Sequence, residues 1–351
     1  MLLTSVTIAA WWIKPAIGYL IDNVFNKRIW IFISLFFDLI LVLILGLMHM
    51  PLFILIVFLI LNSTNAAFRD VAVDGIMCVE GKKNNTTGKI QSIQWASFSV
   101  AGILTGIAGG YLAEKWGYKA GFLCLIPFYL IVSITGYFYR EDPRGVTAAG
   151  ERRSFGKDFK KILADKRLLV VGLFIFLYRY SPSFGTPLFF VQRDAFHWSK
   201  IWIGVLATIG TCFEILGAIV YYRVSQKINM KKWLFISVFI GASTTLCYLY
   251  YTPVTAVIYN AIFSFVGMFI FIMVLDFMAR NTLKGLEATS FALLCSVSNL
   301  ALTASNLSGA FLLPVVGLKW LIVASALTSF LCLPLISMIP QAPQVPQVLE
   351  P

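Results

Sequence analysis

Apolar runs of about 20 residues recur along the whole chain, each long enough to cross a bilayer as a helix. No other feature constrains the fold as much. In lipid every backbone N–H and C=O must find a partner within the protein, which leaves helices and closed barrels. Barrel strands would instead show segments of roughly ten residues with alternating polarity. Of the 351 residues, 59% are hydrophobic and 13% charged, more apolar surface than a soluble domain of this length can hide. The sequence specifies an all-α polytopic membrane protein.

Eleven spans can be drawn, at roughly 3–22, 29–49, 52–77, 89–113, 119–139, 168–192, 199–222, 232–251, 254–279, 286–313 and 318–338. Residues 140–167 break the pattern. They are charged, carry Pro and Gly near their start, and contain a stretch at 154–163 that reads as an amphipathic helix. The chain thus divides into a first helical half (1–139), a connector (140–167), a second helical half (168–338) and a tail (339–351).

Loop charge gives an orientation. With the connector in the cytoplasm, 20 of the 28 Lys and Arg residues fall on the inside set of loops and five on the outside set. This asymmetry is the positive-inside pattern. It places the tail in the cytoplasm and Met1 on the opposite side. It also accounts for the net charge of +12 as topology, without a nucleic-acid partner. The remaining three cations, Lys14, Arg69 and Arg179, lie within spans. The six cysteines are isolated and mostly sit in apolar runs, so they read as small buried hydrophobes. Lys14 interrupts the first apolar run, and no basic region precedes it, which argues against a signal peptide.

An internal repeat is visible at an offset of 200 residues. Gly109, Gly117 and Lys119 recur as Gly309, Gly317 and Lys319, with Tyr111 against Phe311 and Leu112 against Leu312. Two homologous halves joined by a cytoplasmic connector are the plan of the major facilitator fold.

The densest polar signal is NSTNAAFRDVAVDGIMCVEGKKNNTTGKIQSIQW, residues 62–95. Arg69, Asp70 and Asp74 end one span, and Gln91, Gln94 and Trp95 open the next. Charges at such depth are costly unless they face protein or water. Asp70 and Asp74, four apart, share a helix face, while Arg69 points about 100° away.

Several motifs carry a family resemblance. WIKPAIGYLID (Trp12–Asp22), RDVAVDG (Arg69–Gly75), GKIQSIQW (Gly88–Trp95), SPSFGTPLFF (Ser181–Phe190) and GLEATSFALLCSVSN (Gly285–Asn299) resemble signature segments of the folate–biopterin transporter family. Arg69 and Gly75 depart from the family pattern. The resemblance implies a major facilitator fold, with the first visible span matching the family's helix two. Helix one is then missing from the plan, which a late start codon or a truncated record explains more simply than a genuine eleven-helix protein.

The individual residues admit paired readings. Carboxylates in a poorly solvated cavity can exchange protons near neutral pH, so Asp70 is either a proton carrier or the partner of Arg69 or Lys14 in an ion pair. Asp74, nearer the membrane surface, reads as structural. Lys14 is too deep to snorkel and should face protein or cavity. Gly18 and Asp22 look like a reduced major facilitator loop motif and read as gating residues. Arg179, flanked by Tyr178 and Tyr180 and followed by Pro182 and Pro187, suits a planar anion: its fork takes a carboxylate and its face stacks on a ring. The alternative is an ion pair with Glu214 or Asp276. Gln91, Gln94 and Trp95 could hold a pterin ring or pack helices. Asp276 lies near the inner end of a span, and Glu287 opens the next, where a carboxylate complements the helix dipole.

His49 and His197 have no companions at metal-ligand spacing, and no catalytic set is visible. Gly81–Lys89 has the wrong spacing for a phosphate loop. No enzyme, metal or cofactor is expected. The expected protein is a monomeric, multi-pass carrier in the plasma membrane, the inner membrane of a bacterium. Its cargo is a small anion of the folate or pterin class, moved by alternating access and coupled to protons. The alternatives are a major facilitator carrier for a peptidoglycan fragment or an acyl-CoA-like anion, or a non-transporting truncated membrane protein.

Overall fold

A computed structural model describes residues 13–49, 51–141 and 155–339. The first half of the opening span, much of the connector and nearly all of the tail lie outside the described residues. The helices are α1 (Lys14–Asn23), α2 (Lys27–Leu47), α3 (Leu52–Lys83), α4 (Thr87–Leu123), α5 (Ile126–Phe138), α6 (Phe155–Ala164), α7 (Lys166–Arg179), α8 (Gly185–Phe190), α9 (Lys200–Val224), α10 (Met230–Cys247), α11 (Pro253–Arg280), α12 (Glu287–Thr328) and α13 (Leu333–Met338).

Seven helical stretches among the described residues are long and apolar enough to cross a membrane. Six match the spans expected from 29, 52, 119, 199, 232 and 254 onward, and the seventh, Glu287–Met338, runs through both of the last two. The span expected at 89–113 lies within α4, whose first turns carry Gln91, Ser92, Gln94, Ser97 and Ser99. The span expected at 168–192 is interrupted: α7 ends at Arg179, and α8 starts again only at Gly185. Pro182 lies in that gap, where its missing N–H and fixed φ cannot continue a helix.

The repeat has a backbone counterpart. α4 and α12 begin at Thr87 and Glu287, and each carries one non-helical glycine, Gly117 (φ 77°, ψ 170°) and Gly317 (φ 74°, ψ 167°). Residues with a Cβ rarely adopt positive φ, so both halves keep glycine at the same turn. The amphipathic connector helix forms as α6, with Ile162 buried and Lys160 and Lys161 exposed.

The chain separates into two compact units, each assembled from three segments. One comprises Met1–Glu80, Leu104–Ala164 and Thr282–Ser296, and the other Gly81–Ile103, Asp165–Asn281 and Val297–Pro351. In the first unit, small residues let α1, α3 and the start of α12 approach closely. Ile17, Ile21, Ala67, Val71, Ala72, Ala288 and Ala292 form a buried cluster. A Cβ added to Gly18 would lie 2.8 Å from the Ala288 carbonyl oxygen, so any larger residue would push α1 off α12. Lipid tails are as apolar as the side chains, so such contact, not hydrophobic burial, holds membrane helices together. In the second unit α9 packs on α11 in the same manner: a Cβ on Gly217 would sit 2.4 Å from the Phe265 oxygen.

Side-chain caps start several helices. Asp165 accepts from the Leu168 N–H at 2.8 Å, Ser199 from Trp202 at 3.1 Å and Asn229 from Lys232 at 3.2 Å. Thr252 and Thr255 make a reciprocal capping box at the start of α11. Each satisfies N–H groups that a helix start otherwise leaves open.

Candidate functional site

In the first unit the polar residues of α3 reach two different neighbours. Lys14 Nζ donates to Asp70 Oδ2 at 2.5 Å. Arg69, one residue earlier, pairs instead with Asp38 of α2. The 100° helical step between adjacent residues sends one ion pair towards α1 and the other towards α2. Asp38 is wholly buried and also accepts from Asn65 at 2.7 Å. Arg69 lies 5.8 Å from the Tyr129 ring centroid. Of the two partners considered for Asp70, the structure places Lys14 beside it. Asp74 is buried one turn further on and lies within electrostatic reach of Lys14.

Asp38 escapes the sequence reading, although a signal was available. It is the lone charge inside the run of 29–49, and an ionisable residue at that depth is a functional candidate by default. The two departures from the family motif also gain physical reasons. Arg69 answers Asp38, and a Cβ on Gly75 would lie 2.9 Å from the Ala288 Cβ and the Lys27 Cε.

Asp22 sits at the start of α12. Its carboxylate accepts from the Thr289 N–H at 2.8 Å, the Thr289 hydroxyl at 2.7 Å and the Ala288 N–H at 3.3 Å, with Lys27 Nζ at 3.5 Å. A carboxylate there is favoured by the helix dipole and by the open N–H groups. Glu287, the first residue of α12, is buried nearby in sequence.

The second unit repeats this arrangement at α4. Asp276, fully buried on α11, accepts from the Thr87 hydroxyl at the start of α4 and from the Tyr221 hydroxyl at 2.8 Å. Arg280, one turn later on the same helix, grips both carboxylate oxygens at 2.9 and 2.8 Å. Asp276 is therefore engaged away from Arg179, and Glu214 is hydrogen-bonded to Ser99. The i, i+4 spacing of Asp276 and Arg280 was a legible sign of that pairing.

Among the described residues Arg179 has no counter-ion. None of its N–H groups meets a protein acceptor among the described residues, and its Nε is buried. Its guanidinium lies 5.7 Å from the Phe271 ring centroid. It faces a cavity of about 210 Å³ lined by Tyr178 at the end of α7, by Ser237, Gly241 and Thr244 on one face of α10, and by Phe263, Gly267 and Phe271 on α11. Trp95 packs edge-on against Phe271 with centroids 4.5 Å apart. Trp95, Phe271 and Arg179 thus form one continuous contact line. Gln91 is buried and Gln94 half-buried on the same stretch of α4, in the same unit.

A model of the BT1 family matches residues 1–350. The chain belongs to the BT1 family. Among curated BT1-like relatives, the folate-biopterin transporter of Synechocystis sp. is 25% identical over 96% of this chain and 74% of its own length. The probable folate-biopterin transporter 4 of Arabidopsis thaliana is 21% identical over 90% of this chain and 81% of its own. The fold is similar to that of the E. coli fucose:proton symporter, with a TM-score of 0.77 at 11% identity over 97% of this chain and 92% of that one. It is also similar to the human organic anion transporter MFSD10, with a TM-score of 0.69 at 12% identity over 95% and 82%. This BT1 member is a multi-pass membrane transporter of the major facilitator fold, acts on a small molecule, and is not an enzyme.

Proposed function

We propose that this transporter carries a flat organic anion of the folate or pterin class by alternating access, with Arg179 holding the anionic group. The observation that supports this most directly is a guanidinium, its Nε buried, that faces a cavity with no carboxylate among the described residues to answer it. Such a charge is costly in a low-dielectric site and becomes favourable when a cargo carboxylate docks on its fork. Phe271 and Trp95 supply adjoining aromatic faces, and Gln91 and Gln94 supply the amide groups a pterin edge needs.

Proton coupling enters through Asp70, with Lys14 as its ionic partner. When Asp70 takes up a proton, the charge that holds Lys14 disappears, so proton binding and helix contact are linked. Arg69, Asp74, Asp22, Asp276 and Glu287 act in gating: none of them lines the Arg179 cavity, and Arg69, Asp22 and Asp276 each clasp a neighbouring helix. We place the transporter, as a monomer, in the plasma membrane, or in the inner membrane if the source is bacterial.

The test is competition binding of folate and of free pterin to detergent-purified chain. Losing the fork in Arg179→Gln should weaken folate by about 2–5 kcal/mol, much of it from the unpaired carboxylate, and leave free pterin nearly unchanged. Arg179→Lys keeps the charge without the bidentate geometry and should recover only part of the affinity. Equal losses for both ligands would assign Arg179 to structure.

A further inference from the structure

Two of the residues that line the cavity beside Arg179 are glycines, Gly241 and Gly267, and packing explains neither. At Gly217 an added Cβ would strike the Phe265 oxygen, whereas at Gly241 and Gly267 it would meet no atom within 4 Å. Glycine inside a helix costs stability relative to alanine, and here the vacated space faces the cavity.

The polar groups around that space are selective in what they leave unused. The Tyr178 hydroxyl donates to Ser237 at 2.7 Å, Ser237 donates to the Leu234 carbonyl at 2.8 Å, and Thr244 donates to the Gly241 carbonyl at 3.0 Å. Their protons are committed, and the guanidinium of Arg179 remains as the donor for a guest. The other surfaces are aromatic or aliphatic, Phe271 and Val274 among them. An acceptor-bearing, otherwise apolar and flat group matches this lining. At about 210 Å³ the space lies below the roughly 300–1,000 Å³ typical of a site that engulfs a whole drug-sized ligand, so it takes one end of a larger molecule.

We propose that this cavity is a subsite for the carboxylate-bearing aromatic end of the cargo, and that Gly241 and Gly267 set its size limit. The proposal rests on the reading of Arg179 as the anion anchor. It separates the cargo into two parts: an aroylglutamate end in the cavity, and a heterocycle outside it, on the Trp95 side of Phe271.

The experiment measures binding of folate, p-aminobenzoylglutamate and free pterin to the purified full chain, comparing wild type with Gly241→Val, Gly267→Val and Arg179→Gln. Gly241→Ala and Gly267→Ala are carried as milder variants, and all samples are checked for a single gel-filtration peak. Each valine variant should weaken folate and p-aminobenzoylglutamate by about tenfold or more, as overpacking a filled site does. Alanine should give smaller losses in the same order, and free pterin should stay within about twofold of wild type. Unchanged folate binding in the glycine variants, with Arg179→Gln still impaired, overturns the subsite and leaves the anion anchor standing. Equal loss of free pterin also overturns it. Folate binding indifferent to Arg179→Gln removes the anchor itself, and the subsite with it.

Discussion

Lys14 and Asp70 are joined by a 2.5 Å ion pair in which the lysine side chain is 7% exposed and the carboxylate 32%. The asymmetry matters. Lys14 is committed to the protein interior, whereas Asp70 keeps an exposed face, which a group that exchanges protons requires. Asp70→Asn keeps the shape and removes the charge. We expect it to abolish accumulation driven by a proton gradient in proteoliposomes while sparing counterflow exchange. Unchanged accumulation would leave Asp70 as a structural partner of Lys14.

The neighbouring pair behaves differently, because Asp38 is fully buried. Asp38→Asn leaves Arg69 without its counter-charge in a poorly solvated place. Breaking a buried pair costs about 3–5 kcal/mol, and Arg69, at 26% exposure, sets the expectation near the lower end. Replacing both partners, as Asp38→Leu with Arg69→Met, should recover part of the loss, since a matched apolar pair carries no desolvation penalty and the Asn65 amide keeps its bond to the Ser34 carbonyl. Thermal denaturation of the single and double variants checks this. A double variant no more stable than the worse single one would refute it.

These two pairs also show where sequence reasoning runs out. Helical spacing alone puts Arg69 and Asp70 on different faces, and the cost of buried charge says that each needs a partner. Neither says which helix supplies it. Asp38 lies in an apolar run 31 positions upstream of Arg69, and only tertiary packing brings them together. The repeat, by contrast, was legible because backbone geometry leaves a mark in sequence: Gly117 and Gly317 share a positive φ that few other residues accept. The break after Arg179 was legible for the same reason, through Pro182. The Arg179 cavity was half legible. The cation and its aromatic neighbour Tyr178 could be read locally, but Gly241, Gly267 and Phe271 come from other helices, and nothing in their own segments distinguishes a cavity glycine from a packing one.

Orientation rests on the loop charges. Single cysteines at Lys160 and Lys231 should react with a membrane-impermeant thiol reagent from the cytoplasmic side, and one at Lys200 from the opposite side. These substitutions would be made in a background with the six native cysteines replaced. Labelling of all three from one side would refute the assigned topology.

The two helix-start clasps make a sharper prediction, because their carboxylates face different donors. At Asp276 both oxygens face arginine: Arg280 Nε lies 2.9 Å from Oδ1 and Arg280 Nη2 lies 2.8 Å from Oδ2. Whichever way the amide of Asp276→Asn is turned, its NH2 group opposes an arginine N–H. At Asp22 the short bonds fall on one oxygen, with the Thr289 N–H and hydroxyl at 2.8 and 2.7 Å from Oδ2. The other oxygen has only the Ala288 N–H at 3.3 Å and Lys27 at 3.5 Å. The amide of Asp22→Asn can therefore keep its oxygen on Thr289 and turn its NH2 to the weaker side. Its loss reduces to the charge–dipole interaction and the pairing with Lys27, which is 9% exposed but held only at 3.5 Å, together about 1–2 kcal/mol. Asp276→Asn strands a guanidinium and should cost about 3 kcal/mol, discounted from the fully buried case because Arg280 is 22% exposed. Melting curves of the two purified variants, read by tryptophan fluorescence, should therefore separate clearly, with Asp276→Asn the less stable. Equal shifts, or the reverse order, would show that the two clasps are not built on the donor geometry described here.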